Sequence, residues 1–288
     1  MVAEGSGGTT TTRSTSCPRK RRSASSRTNL TAASGLGLGV AMIWFSLLVL
    51  IPLSAIVVKA SGGGWSTYVD VLSNPQTRSA LQLTVLSSLG VTLLNMVMGT
   101  IIAWVLVRDR FPGMAVLDLV IDIPFALPTI VAGLVLLSLY GPDSPIGVQV
   151  NNTRWAVFLA MAFVTLPFVV RTVQPVLEEL DTDVEDAAAS LGATRRTTFR
   201  RLILPALAPA ICARAALSFA RGISEYGALV LISGNLANRT EVVSVRLFSF
   251  LEGGNTEAAA AVATLMLAVA LFAIVVLDII QRRVARRG

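Results

Sequence analysis

The sequence predicts an all-α membrane protein of six transmembrane helices with both termini cytoplasmic, and three observations carry that reading. Hydrophobic residues make up 53% of the chain and charged residues 14%, against roughly 25% charged in a soluble globular domain, so the composition suits lipid. Apolar runs lie near 36–58, 80–107, 117–139, 156–176, 207–232 and 258–280; crossing a hydrocarbon layer of ~30 Å takes about 20 helical residues. The arginines then set the direction. One side would hold Arg13, Arg19, Lys20, Arg21, Arg22 and Arg27, then Arg108 and Arg110, then Arg195, Arg196, Arg200 and Arg201, then Arg282, Arg283, Arg286 and Arg287. The other would hold only Lys59, Arg78, Arg154, Arg239 and Arg246. An even number of crossings with this bias places both ends in the cytosol.

Taken in order, residues 1–30 are rich in Ser, Thr, Gly and Arg and bury too little apolar surface to fold, which predicts a mobile basic tail. A cleaved signal peptide is the competing reading of the tail and the first run, but that run exceeds the 7–15 residues of a signal core. In the second crossing Thr84, Ser88, Thr92 and Asn95 fall four, four and three residues apart and share one helical face. That face either lines a path for a polar solute or joins two helices, as small polar residues do in membranes. Pro124 and Pro128 should kink the third crossing by removing backbone donors. Asp118 and Asp122 enter it from the cytosolic side, and Arg214 in the fifth crossing is their expected partner. Charges cost about 2.5–3.5 kcal/mol at a helix centre, so Arg221 and Glu225 should pair across four residues. Gly222 within that pair and Gly227 just after it weaken the helix, which makes the segment a candidate gate, with a purely structural pair as the alternative.

A charged island, residues 178–205, interrupts these apolar runs. Thr182 and Glu185 form a capping box, so a short helix should begin at Thr182, run through Ala187, Ala188 and Ala189, and end where Gly192 supplies a left-handed turn. A second helix carrying Arg195, Arg196, Arg200 and Arg201 should meet Pro205, where the next apolar segment begins. The pattern predicts a helix, tight turn and helix at the membrane surface.

Several function classes fall away. The cysteines, Cys17 and Cys212, are placed too differently to pair, there is no histidine, and no metal-ligand spacing is present. The only lysines, Lys20 and Lys59, do not end a G-x-x-x-x-G-K-[ST] run, so the chain has no phosphate loop of its own. The net charge of +7 reads as topology and attraction to anionic headgroups rather than as nucleic-acid binding.

Within the island, Asp186, Ala187, Ala188, Gly192, Leu202, Leu204 and Pro205 stand at the spacing of the cytoplasmic coupling loop of ABC importer permeases, which the chain resembles. Asp186 occupies a place where glutamate is usual, and Glu185 beside it is the alternative carboxylate. Longer stretches between about 40 and 283 look like the sulfate/thiosulfate importer permease, T subunit. They are Ile51-Pro52-Leu53-Ser54-Ala55, Ala103-Trp104-Val105-Leu106, Arg110-Phe111-Pro112-Gly113, the run Asp122 to Thr129, the run Leu166 to Leu180, Ser224-Glu225-Tyr226-Gly227-Ala228, Ile232-Ser233-Gly234-Asn235 and Arg239-Thr240-Glu241-Val242.

The resemblance implies a type I importer bundle (MetI-like) over 36–283 and an ATPase-coupling loop over 178–205. It implies a second permease of the W type, two ATP-binding subunits that hold ATP and magnesium, and an extracytoplasmic binding protein. It also implies alternating access without covalent chemistry in this chain. On that reading Thr84, Ser88, Thr92 and Asn95 offer hydrogen bonds to a dehydrated sulfate without holding it too tightly. Molybdate or tungstate permeases share part of the Glu225 element and are the nearest alternative. A secondary anion carrier and a membrane-anchored scaffold are the rivals from other classes.

Overall fold

The computed structural model describes residues 32–180 and 182–285; the expected mobile tail over 1–30, with Cys17, lies outside them, as do Arg286 and Arg287. The described residues form helices and no strand, and the chain divides after Ile51 into two units. The first unit holds α1 (Ala32–Phe45) and a π turn (Ser46–Leu50). Its apolar side chains point outward, with Leu36, Ile43 and Trp44 each more than half exposed, and a helix apolar all round belongs in lipid or against another protein.

The second unit begins within α2 (Ile51–Gly62) and continues through α3 (Gly64–Ser73), α4 (Pro75–Arg108), α5 (Met114–Ala126), α6 (Thr129–Tyr140), α7 (Arg154–Glu179) and α8 (Thr182–Ser190). After these come α9 (Arg195–Thr198), a second π turn (Phe199–Ile203), α10 (Leu204–Ile223), α11 (Gly227–Ile232), α12 (Val243–Glu252) and α13 (Thr256–Ala285). Four stretches, 34–62, 75–108, 154–179 and 256–283, are single helical runs long and apolar enough to cross a membrane; two bent pairs bring the number to six.

The central element is α4. Asn74 accepts hydrogen bonds from Gln76 N (2.9 Å) and Thr77 N (3.3 Å) ahead of Pro75, so the start is capped and the proline gives up no useful donor. Its 34 residues make about 50 Å at 1.5 Å each, and α7 lies along most of that length. No hydrophobic force draws helices together in lipid, so close approach needs small side chains. Gly99 supplies one such place: a methyl added there would stand 2.8 Å from Val169 Cγ1. Val91, Met161, Val164, Leu229 and Ile232 fill the core toward one end, and Leu106, Val170, Val173, Leu177 and Leu207 toward the other.

The third and fifth crossings depart from their expected form. Residues 117–139 do not make one kinked helix: α5 and α6 meet at 117°. A residue before proline is pushed out of helical geometry, and Leu127, ahead of Pro128, is extended at φ −86°, ψ 135°. Likewise 207–232 is no continuous span. The helix bends by 41° around Ala213, α10 ends at Ile223, and α11 begins anew at Gly227. The two breaks pack on one another. A methyl on Gly227 would lie 2.8 Å from Ile130 N, and one on Gly133 would lie 2.6 Å from the Ala228 carbonyl oxygen, so α6 and α11 touch backbone to backbone.

Arg171 fastens α5 to α7. Its Nε and Nη2 donate to Asp122 Oδ1 (2.7 Å) and Oδ2 (2.6 Å), its Nη1 to Asp118 Oδ1 (2.7 Å) and Gln174 Oε1 (2.8 Å), and Nη2 also to the Asp118 carbonyl (2.9 Å). All five guanidinium N–H groups are thereby used. Arg171, not Arg214, is therefore the partner of Asp118 and Asp122; Arg214 is exposed on α10. Arginine suits the place because its planar fork meets one carboxylate with two parallel bonds.

Two stability measurements follow. Gly133→Val should lower the melting temperature in detergent as an overpacked contact does, by about 1–3 kcal/mol, whereas Gly62→Ala, with nothing within 4 Å, should leave it unchanged. Arg171→Ala should cost between the ~1 kcal/mol of an exposed pair and the ~3 kcal/mol of a buried one, because the carboxylates are 43% and 46% exposed. Adding Asp118→Asn and Asp122→Asn should recover part of that loss; no recovery would show that the three residues do not act together.

Candidate functional site

The island folds as its sequence suggests in one half and differently in the other. Helix α8 begins at Thr182 and ends in a Schellman turn: Gly192 has φ +81°, Ala193 N donates to Ala188 O (3.0 Å) and Gly192 N to Ala189 O (2.9 Å). Thr194 then opens α9, its hydroxyl accepting from Thr197 N at 3.3 Å. The basic helix is not separate from the next crossing. It passes through the π turn, where Leu204 N donates to Phe199 O five residues back, straight into α10. Pro205, two residues past that turn, brings no backbone donor back to it, so a carbonyl of the preceding turn goes without its helical bond.

The two neighbouring carboxylates both line a cleft beside α8, and Glu185 is the one held by a cation. Glu185 Oε1 lies 2.8 Å from Arg108 Nη2. The contact is one of charge rather than a directed bond, since Oε1 lacks a hydrogen-bond donor and Nη2 donates to the Leu180 carbonyl at 3.0 Å. Arg108 thus ties both α8 and the end of α7 to α4. The capping box itself turns on the Thr182 side chain, which is outside the described ones. Asp186 is exposed at that same cleft.

The face of α8 on the other side from Asp186 is apolar. Val184 (49% exposed), Ala187, Ala188 and Leu191 (88% exposed) stand at i, i+3, i+4 and i+7, a single stripe. Leu202, Leu204 and Pro205 are also exposed. Beneath α8 a cleft of roughly 650 Å³ is lined by Trp104, Arg108, Glu185, Arg196 and Phe199 among others, with Trp104 and Phe199 meeting edge to face at 5.4 Å.

Thr84, Ser88, Thr92 and Asn95 do share a face of α4, and that face is buried inside the chain. Thr84 Oγ1 donates to Ala80 O (2.8 Å) and accepts from Val243 N (2.9 Å). Asn95 Nδ2 reaches Ala162 O (3.1 Å) and Thr165 Oγ1 (2.8 Å) on α7. Thr92 Oγ1 donates to Ser88 O (2.7 Å), and Ser88 Oγ rests against Met161 Sδ (3.6 Å). Their polar groups are engaged in helix packing and face no open path in this chain. A period of 3.6 finds a shared face but does not tell which neighbour it meets.

At the break in the fifth crossing, Arg221 Nη2 lies 3.1 Å from Glu225 Oε2. Glu225 is 1% exposed, and its Oε1 accepts from Ala228 N (2.9 Å), capping α11. Its carbonyl accepts from Ser244 Oγ of α12 at 2.7 Å, so one residue joins α10, α11 and α12. Gly222 sits against Ser88, where a methyl would lie 3.1 Å from Oγ. The paired glycines signalled a weakened helix but not its full break. The capping role of Glu225 was not read either, although an acidic residue two positions before a short apolar helix is a signal of it.

Residues 95–287 match the model of the family described as "Binding-protein-dependent transport system inner membrane component". The sulfate transport system permease protein CysT of Salmonella typhimurium is 44% identical over 259 residues, 88% of this chain and 94% of that protein. The protein of that name from Escherichia coli is 43% identical over the same shares, and that of Synechocystis 40% identical over 84% of this chain and 87% of its own. Among solved structures, a bacterial alginate ABC transporter in complex with its pentasaccharide-bound periplasmic protein is alike with a TM-score of 0.74 at 16% identity, over 87% of this chain and 94% of that one. An inward-facing MetNI methionine ABC transporter is alike with a TM-score of 0.55 at 19% identity, over 71% and 96%. Those two likenesses speak of fold. Sequence and fold agree, and the chain belongs to the binding-protein-dependent transport system inner membrane components, in the branch of the CysT permeases.

Proposed function

We propose that this chain is the T-type permease subunit of an ATP-driven importer that carries sulfate, and thiosulfate with it, across the membrane by alternating access. The observation that carries the substrate is identity of 44% along 88% of the chain with a sulfate permease; nothing in the chain favours molybdate or tungstate. Its partners are a second permease of the W type, two ATP-binding subunits and an external binding protein. ATP and magnesium belong to the ATP-binding subunits, because this chain has no phosphate loop.

The coupling assignment rests on Glu185, Asp186, Ala187, Ala188, Gly192, Leu204 and Pro205. The exposed stripe of α8 suits a cleft in the ATP-binding subunit: methyl-sized Ala187 and Ala188 allow close approach, and Asp186 fixes orientation. Movement of α8 has two routes inward. Arg108 links it to α4, and the helical run from Arg195 to Ile223, 29 residues and roughly 40 Å long, ends beside Arg221 and Glu225. The break there is the gate in this scheme, and Arg221, 30% exposed, is its cation. Ser88 and Asn95 hold α4 to α7, Thr84 holds it to Val243 at the start of α12, and Thr92 bonds back to its own helix, rather than lining the path.

Three experiments test this. Ala187→Phe or Ala188→Phe should abolish most radiolabelled sulfate uptake in cells lacking the native copy, while the chain stays in the membrane and the complex still hydrolyses ATP; normal uptake removes the docking assignment. Thiosulfate in excess should block uptake by the intact chain and molybdate should not; the reverse selects the molybdate reading. Arg221→Ala strands a buried carboxylate at a cost of about 3 kcal/mol, so uptake or assembly should fail. Glu225→Gln, which keeps an acceptor for Ala228 N, should restore part of it in the double variant.

A further inference from the structure

A groove of roughly 320 Å³ opens between the outer ends of α4 and α7, away from the coupling loop and the gate. Its rim is polar, with Ser79, Gln82 and Arg154, and its wall is apolar, with Leu86, Trp155 and Phe158 among others. No carboxylate lines it. The two helices show the same progression. From Gln82 to Leu86 on α4, and from Arg154 to Phe158 on α7, one turn toward the bilayer centre replaces a polar side chain by an apolar one. A phospholipid has that order, headgroup outside and acyl chain inside.

The rim is held in place by one loop. Arg154 Nε donates to the Arg239 carbonyl at 3.3 Å, and Ser79 Oγ donates to the Asn238 carbonyl at 3.0 Å. Asn235 and Asn238 take left-handed φ angles of 51° and 61°, and Leu236 O accepts from the backbone N–H of Arg239, Thr240 and Glu241, so the loop is tightly wound. With Nε so anchored, both terminal amino groups of Arg154 remain for a ligand, in the fork that phosphate oxygens accept. The wall faces outward: Leu86 is 67% and Trp155 72% exposed, and Trp155 meets Phe158 edge to face at 6.1 Å. Tryptophan at this level marks the headgroup boundary.

We propose that this groove binds an anionic phospholipid, its phosphate on Arg154 and one acyl chain along Leu86 and Phe158. A free oxyanion shares the headgroup chemistry but leaves the apolar wall unused and finds one cation only, so the lipid is the occupant.

The test is native mass spectrometry of the whole transporter released from mild detergent, offered phosphatidylglycerol and phosphatidylcholine with identical chains. The intact complex should retain phosphatidylglycerol preferentially. Arg154→Gln should lower that retention about fivefold, the effect of one interfacial cation, and Arg154→Lys should keep most of it. Leu86→Trp, at an outward-facing position that does not threaten the fold, should fill the groove and lower retention of both lipids. Equal retention by the intact and Arg154→Gln complexes overturns the proposal. So does release of phosphatidylglycerol by millimolar sulfate, which would mark a free-oxyanion site, or binding by the isolated chain that vanishes in the complex, which would mark a subunit interface.

Discussion

A helix that stops inside a bilayer must hide its loose backbone groups in protein, because lipid offers no partner for them. This chain stops two helices there, at Leu127–Pro128 and at Ser224–Tyr226, and meets the constraint by packing the breaks together. That solution dictates glycine at both contacts, since Gly133 faces the Ala228 backbone and Gly227 faces Thr129 and Ile130. It also requires local partners for the loose backbone groups: the Glu225 carboxylate accepts from Ala228 N, and the Ser244 hydroxyl donates to the Glu225 carbonyl. The buried carboxylate then needs a cation, and Arg221 one turn away is that cation. The charged pair in the fifth crossing is thus a consequence of breaking the helix as much as a device for transport.

The same reasoning orders the rest of the second unit. The uninterrupted helices α4 and α7 form the frame, joined by small residues and by Asn95, which bonds across to Thr165 and Ala162. The interrupted pairs pack on that frame. Arg171 fastens α5 to it with five hydrogen bonds, and Arg108 fastens α8 with a charge contact and a bond to Leu180. The rigid parts therefore meet the cytosolic loop through arginines, which can re-form bonds after small shifts more readily than interlocked apolar side chains can.

Much of this was legible in the sequence wherever cause and effect lie within a few residues. Gly192 ended α8, Pro128 marked where the third crossing is disturbed, though as a break and not the expected kink, and Arg221 and Glu225 paired four apart. Distance along the chain hid the rest. Asp118 and Asp122 sit 53 and 49 residues from Arg171, and the sequence alone points instead to Arg214, which lies at a similar depth from the same side. The link from Arg108 to Glu185 was hidden in the same way. The polar face of α4 shows a different limit: its periodicity is plain, but a face that bonds to a neighbouring helix and one that wets a channel use the same residues.

The π turn at Phe199–Ile203 joins the docking segment to the membrane helix with one residue more than an α turn holds. Each residue of an α-helix advances the chain by about 100° and 1.5 Å. Tightening that single turn to ordinary helix would therefore rotate everything on the cytosolic side by about that angle relative to α10, like a screw thread advanced by one notch. The phase between the outward face of α8 and the helix that ends at the Arg221–Glu225 break is set by one extra residue, so an insertion or deletion in this stretch alters the linkage without altering either end.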